Sequence, residues 1–264
     1  GLFTRRLFEA TLLGLTVIAL IRLMPPAWAT RSLEIAAVYG LLAVVLALRL
    51  AGRPLMLVAG LTILATALGA SLTFPDHHFV VITHLHNILP LVFLWEWVGR
   101  GVVTPAARTF RLLNLGWALV LPAAILAGLP RAIIVPDLAP AAAIVQDVDG
   151  FVRSLTPPGG DSVLGSRLLA VFALLQLMHY YVWCRFFPSV GAPETVRFQQ
   201  SMTALGLPSG RLLTGLVLTI AAGTMLLMWA DFQRGRSLYG ALAGYHAYLE
   251  YALLLLFVLA WRRA

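Results

Sequence analysis

The chain contains no lysine and a single cysteine, and only 11% of its 264 residues are charged. Soluble domains carry about 25% charged residues, so the polar surface needed to hold this chain in water is missing. That shortage excludes a soluble enzyme, and the abundance of apolar residues excludes a disordered tail. The lone Cys184 cannot close an internal disulfide, and it rules out any cysteine-built zinc or iron–sulfur site. It lies in an apolar run, where a free thiol behaves as a small hydrophobe. All 19 basic residues are arginine, scattered singly or in pairs between apolar runs. A net charge of +8 in that arrangement reads as headgroup contact and membrane topology. A nucleic-acid footprint would cluster on one face, so nucleic acid is not expected as a partner. Exclusive arginine, beside heavy use of Ala, Leu and Gly, points to a GC-rich genome, and the expected location is a bacterial inner membrane.

Familiar catalytic signatures are missing as well. There is no His-Glu-x-x-His, which excludes a zincin-type membrane protease, and no P-loop or Gly-x-Ser-x-Gly elbow. Six histidines are too few for the repeated histidine boxes of membrane desaturases. No internal repeat stands out, so an inverted-repeat transporter gains no support.

What remains is apolar: 60% of the residues are hydrophobic and the mean hydropathy is +0.89. At roughly 20 residues per span, the composition accommodates eight crossings. Apolar runs fall at 9–28, 33–51, 54–73, 79–98, 109–129, 167–187, 210–230 and 238–261. The expected architecture is an all-α polytopic bundle in which the whole chain forms one transmembrane domain. The connection from Leu50 to Arg53 is so short that the second and third runs should pair as an antiparallel hairpin. In the first run, Arg5 and Arg6, an apolar stretch and then Ala27-Trp28-Ala29 imitate a secretory signal with its small-residue cleavage site. Arg22 interrupts the stretch, so the run reads as a retained helix. With both termini cytoplasmic, twelve arginines lie inside and seven outside, as the positive-inside rule prefers.

Two longer connections have patterns of their own. In the outer loop, 130–166, Ile144, Val145, Val148, Phe151, Val152 and Leu155 share one helical face, ended by Pro157-Pro158-Gly159-Gly160. A short lid helix, or a surface for other membrane subunits, is expected there. In the inner loop, 188–209, Pro193-Glu194 opens and Gly206 closes an expected interfacial connector helix.

Ionisable groups inside a span need a partner or a purpose. His84, His86, His179, His246 and Glu250 stand out, on the fourth, sixth and eighth runs. Counted from the span starts at about 1.5 Å per residue, His86 lies roughly 10 Å down, His246 about 12 Å, and His179 and Glu250 about 18 Å. Three helices therefore place imidazoles at similar depth. Tyr239, Ala243, His246 and Glu250 form one stripe, so the last two are neighbours. Gln176, His179, Tyr180 and Trp183 form another, and Thr83, His86, Asn87 and Pro90 a third. Pro90 has no N–H for the His86 carbonyl, so a kink is expected at that histidine. His84 points about 160° away from His86. His77 and His78, beside Asp76, are expected in solvent at the outer mouth, and Glu96, between Trp95 and Trp97, at the interface. Asn114 is expected to make an interhelical hydrogen bond.

Neutral imidazole is the commonest metal ligand, and histidines with a carboxylate suit iron, zinc or copper. The expected function is a membrane metalloprotein, an iron oxygenase or oxidase acting on a lipophilic substrate. His86, His179, His246 and Glu250, with His84 as a further candidate, would be ligands. Glu250 and Tyr180 would take part in the chemistry, and Gln176 and Asn87 would hold the cofactor in place. Two other readings use the same residues. One is a b-type haem electron carrier with two axial histidines; the other is a non-catalytic accessory subunit or transporter whose histidines join helices or relay protons.

Overall fold

The computed structural model describes residues 4–25, 27–99, 104–129, 148–186 and 211–261. Every regular element among them is helical. Local sequence sets the starts. Thr4 caps α1 (Arg5–Arg22), its hydroxyl accepting the Leu7 N–H at 3.3 Å. α2 (Trp28–Leu50) is followed by α3 (Pro54–Thr73) and α4 (Pro75–His86), both opening on a proline, whose missing N–H costs nothing in a first turn. α5 spans Leu89–Gly99. Thr104 caps α6 (Pro105–Leu115), which passes through a π-helical turn, Gly116–Val120, into α7 (Leu121–Leu126). α8 (Val148–Leu155) precedes α9 (Ser162–Tyr181), capped by Asp161 and continued by a second π-helical turn, Val182–Phe186. α10 (Arg211–Ala230) and α11 (Phe232–Trp261) are the last of the described elements.

Six stretches are long and apolar enough to cross a membrane: Trp28–Leu50, Pro54–Thr73, Pro75–Glu96, Pro105–Leu126, Ser162–Phe186 and Phe232–Leu259. This is the helix complement of an integral membrane protein. Two expected spans are absent from that group. α10 is a 20-residue helix whose apolar part includes Gly215–Ala230, and α1 carries Arg5, Arg6, Glu9 and Arg22. α1 also ends earlier than its apolar run implied. Leu23 and Met24 close it through bonds to the Ala19 and Ile21 carbonyls, ahead of Pro25, which disfavours helix in the residue before it. The expected inner helix at 193–206 lies outside the described residues.

The chain divides into two compact units, Gly1–Phe79 with Thr224–Ala264 and Val80–Gly223. In the first, α2 packs against α1, α3 and α11, and α1 packs against α11. Leu15, Ile18, Ile35, Val45, Ala252 and Leu256 are among its fully buried apolar residues. α3 buries no side chain, and its Leu55 is 86% exposed, as suits a helix facing lipid. In the second unit, α9 packs against α5, α7 and α8 around Leu91, Leu94, Ala118, Val171, Leu175 and Val182.

Proline chemistry explains two interruptions in the second unit. Pro122 has no N–H for the carbonyl four residues back, and the π-helical turn ends just before it. Ahead of Pro90 the kink is a full break. α4 stops at His86, the Ile88 N–H turns to the Leu85 carbonyl at 3.0 Å, and α5 starts at Leu89.

Candidate metal centre

The helix break places His86 at the very end of α4, half-buried. Its Nδ1–H donates to the Ile82 carbonyl at 3.2 Å. A carbonyl can only accept, so this bond fixes the tautomer and makes Nε2 the lone-pair nitrogen. Metal-binding histidines are commonly oriented this way, by a bond from the other ring nitrogen. His179 on α9 is fully buried, and its ring centre lies 5.3 Å from that of His86, with the planes inclined at 71°.

That separation can be tested against coordination geometry. Two imidazoles bound at about 2.0–2.1 Å in adjacent positions of one ion hold their ring centres about 4.5–5.2 Å apart, whereas opposite positions require about 6.3 Å. At 5.3 Å the observed pair lies just beyond the adjacent-ligand spacing and well short of the opposite one. Tyr180 packs edge-on to His179, with ring centres 5.5 Å apart, and is 44% exposed. Gln176 is half-buried one turn earlier on α9. Asn87 is completely buried and donates through Nδ2 to the Thr83 carbonyl at 3.3 Å.

His84 is not part of this pair. Its Nε2–H donates to the Leu155 carbonyl at 3.0 Å, at the end of α8, and its ring meets Phe172 edge-on. This agrees with its opposite position on the helical wheel. α8 is a helix where the apolar spacing anticipated one, although Ile144 and Val145 lie outside the described residues. Leu155 is 2% exposed, and Phe151 packs edge-on to Phe172 of α9.

His246 and Glu250 belong to the other unit. Their Nε2 and Oε1 atoms are 2.9 Å apart, as the i, i+4 spacing anticipated. The carboxylate is 1% exposed and the imidazole 43% exposed. A buried carboxylate touching an imidazole is competent as an ion ligand or as an acceptor that orients a ring.

The first unit also holds a charged network that helical periodicity alone did not reveal. Arg22 Nε donates to Glu34 Oε1 at 2.6 Å, and the Tyr248 hydroxyl donates to the same oxygen at 2.5 Å. Arg22 Nη1 donates to the Gly240 carbonyl at 2.7 Å, and the guanidinium lies 5.6 Å from the centre of the Tyr248 ring. α1, α2 and α11 are thus joined through one carboxylate. The available signal is the short connection between the two helices: Arg22 ends α1 and Glu34 lies in the second turn of α2, within reach of a long guanidinium side chain. His78 departs from expectation. Only His77 is exposed; His78 is 8% exposed because α4 begins at Pro75, four residues before the apolar run, and turns this side chain inward. Asn114 behaves as anticipated, donating to the Leu91 carbonyl at 3.1 Å.

No protein-family model matches the chain, and no curated protein and no solved structure matches it either.

Proposed function

We propose that this chain is an intramembrane histidine metalloprotein, an oxidoreductase of oxygenase or oxidase type that acts on a lipophilic substrate. The carrying observation is the His86–His179 pair, with ring centres at 5.3 Å and one ring held in a fixed tautomer by a backbone carbonyl. His86 and His179 act as imidazole ligands. His246 and Glu250 form a second pair of ligand-competent groups in their own unit, with the carboxylate suited to a hard or borderline ion. Asn87 and Tyr180 directly follow the two imidazoles in sequence, and Gln176 lies one turn before His179. Iron suits imidazole and carboxylate donors, and zinc or copper accepts the same imidazoles. A bound iron supplies dioxygen activation, and a site within spanning helices gives lipid-borne substrates direct access.

The spacing favours an ion over haem b, because axial histidines occupy opposite positions and stand about 6.3 Å apart. The deciding experiment is metal analysis and an optical spectrum on one detergent-purified sample. The expected result is about one transition-metal ion per chain in the wild type, falling below about a tenth in His86→Ala and His179→Ala. A wild-type content below a tenth after growth with added iron, or a strong Soret band, overturns the reading.

A further inference from the structure

Away from the metal ligands, the first unit brings three polar side chains of three helices into one hydrogen-bonded chain. The Tyr39 hydroxyl of α2 lies 3.0 Å from Ser71 Oγ of α3, and Ser71 Oγ lies 3.0 Å from His78 Nδ1 of α4. Both bonds have ordinary geometry, and the relay ends on His78 Nε2. That nitrogen is buried and has no hydrogen-bond partner among the described residues. The His78 side chain as a whole is more than nine-tenths buried. Native interiors rarely leave a buried polar atom unpaired, and one that is unpaired calls for an explanation.

The surroundings narrow what could complete the relay. If Tyr39 donates to Ser71 and Ser71 donates to Nδ1, the outer nitrogen is an N–H donor. The Arg22 guanidinium adds a positive field at His78, which favours an oxygen carrying partial negative charge over a second donor. Aromatic rings flank the imidazole: Phe79 edge-on at 5.3 Å between centres and Tyr39 tilted at 6.1 Å. A donor nitrogen between aromatic rings, in a stretch, Pro75–Glu96, long and apolar enough to cross a membrane, suits a carbonyl oxygen on a flat apolar body.

We propose that His78, backed by Ser71 and Tyr39, is a binding site for the carbonyl oxygen of a membrane-soluble compound, a quinone ring in preference to a lipid ester. The bond runs from His78 Nε2–H to the carbonyl oxygen, and no atom or electron is transferred. The site is independent of the metal reading, since it uses none of the proposed ligands.

The test uses the full-length protein in phosphatidylcholine nanodiscs free of quinone, titrated with radiolabelled decyl-benzoquinone by equilibrium dialysis. Saturable binding of about one quinone per chain is expected, weakened at least about tenfold in His78→Leu, which is about 1.4 kcal/mol. Tyr39→Phe, which removes the far end of the relay, should weaken it by a few-fold, and Asn114→Leu, which removes only an interhelical bond of the other unit, should leave it unchanged. His78→Gln keeps a side-chain donor and should retain part of the affinity. It therefore separates loss of the bond from loss of the fold. A phospholipid retained through gel filtration, absent from His78→Leu and not displaced by the quinone, identifies the ester as ligand and overturns the quinone assignment. Absence of saturable binding, or equal binding by wild type and His78→Leu, overturns the site.

Discussion

The two units solve the same problem, polar groups inside membrane-length helices, in opposite ways. In the unit built from α1, α2, α3 and α11, the buried groups include a charged network in which Glu34 accepts from both Arg22 and Tyr248. The helices there run unbroken, α11 for 30 residues. In the unit spanning Val80–Gly223 the buried groups include imidazoles and amides, and the backbone itself is opened. α4 breaks after His86, and π-helical turns follow α6 and α9. The contrast shows what each device contributes. An internal ion pair holds regular helices together at a fixed level. An interrupted helix gives up backbone bonds and gains control over where a side chain such as His86 points, which is why π-turns and proline breaks recur at functional sites.

The largest effect should come from breaking the charged network. Glu34→Ala leaves a largely buried guanidinium and the Tyr248 hydroxyl without their carboxylate. Removing one member of a buried pair costs about 3–5 kcal/mol, and Arg22, with a quarter of its side chain exposed, belongs near the lower end. Unfolding in mixed micelles, monitored by circular dichroism, measures it. The double variant Arg22→Met with Glu34→Leu should recover most of the loss, because apolar replacement of a whole buried pair is often near neutral. If Glu34→Ala cost less than about 1 kcal/mol, the pair would behave as a surface bridge and the contrast between the units would disappear.

A smaller effect should sharpen the other side of the comparison. A Cβ at Gly165 would lie 2.8 Å from Val152 Cγ1 and 3.0 Å from Thr156 Oγ1, so Gly165→Ala forces α8 away from α9. Overpacking of this kind costs about 1–3 kcal/mol. Hydrogen exchange should accelerate across 148–156 and stay unchanged in α2 and α11. Unchanged exchange in 148–156 would mean that α8 does not depend on its seat against α9.

What the sequence made legible follows the range of the interactions. The His246–Glu250 contact, the divergence of His84 from His86 and the interruption before Pro90 are set within one or two helical turns, where the helical period fixes neighbours. The hairpin between α2 and α3 follows from a short loop, and the apolar face of α8 from its spacing. Tyr248 and Glu34 are 214 positions apart, and no local pattern pairs them. His78 was misplaced for a different reason. Hydropathy marks where an apolar run begins, whereas the helix begins at Pro75, and that difference of four residues moves a histidine from solvent into the packed interior. The first helix shows the same limit, since apolar composition continues to Trp28 although the helix stops at Arg22.

The smallest expected effect concerns a neutral bond in the interrupted unit. Asn114 is 8% exposed, and its Nδ2 donates to the carbonyl of Leu91, a core residue of α5. Interhelical side-chain bonds in membrane proteins average about 0.6 kcal/mol and reach about 1.7, because the separated helices find other partners. Asn114→Leu keeps the volume and removes both the bond and the desolvated amide, so a loss of about 0.5 kcal/mol is expected, several-fold below that of Glu34→Ala. The same unfolding assay reads both variants. A loss above about 2 kcal/mol would show that the bond does more than join α6 to α5. It would then be holding the π-helical turn that starts two residues later, and a neutral hydrogen bond would carry as much of the interrupted unit as an ion pair carries of the regular one.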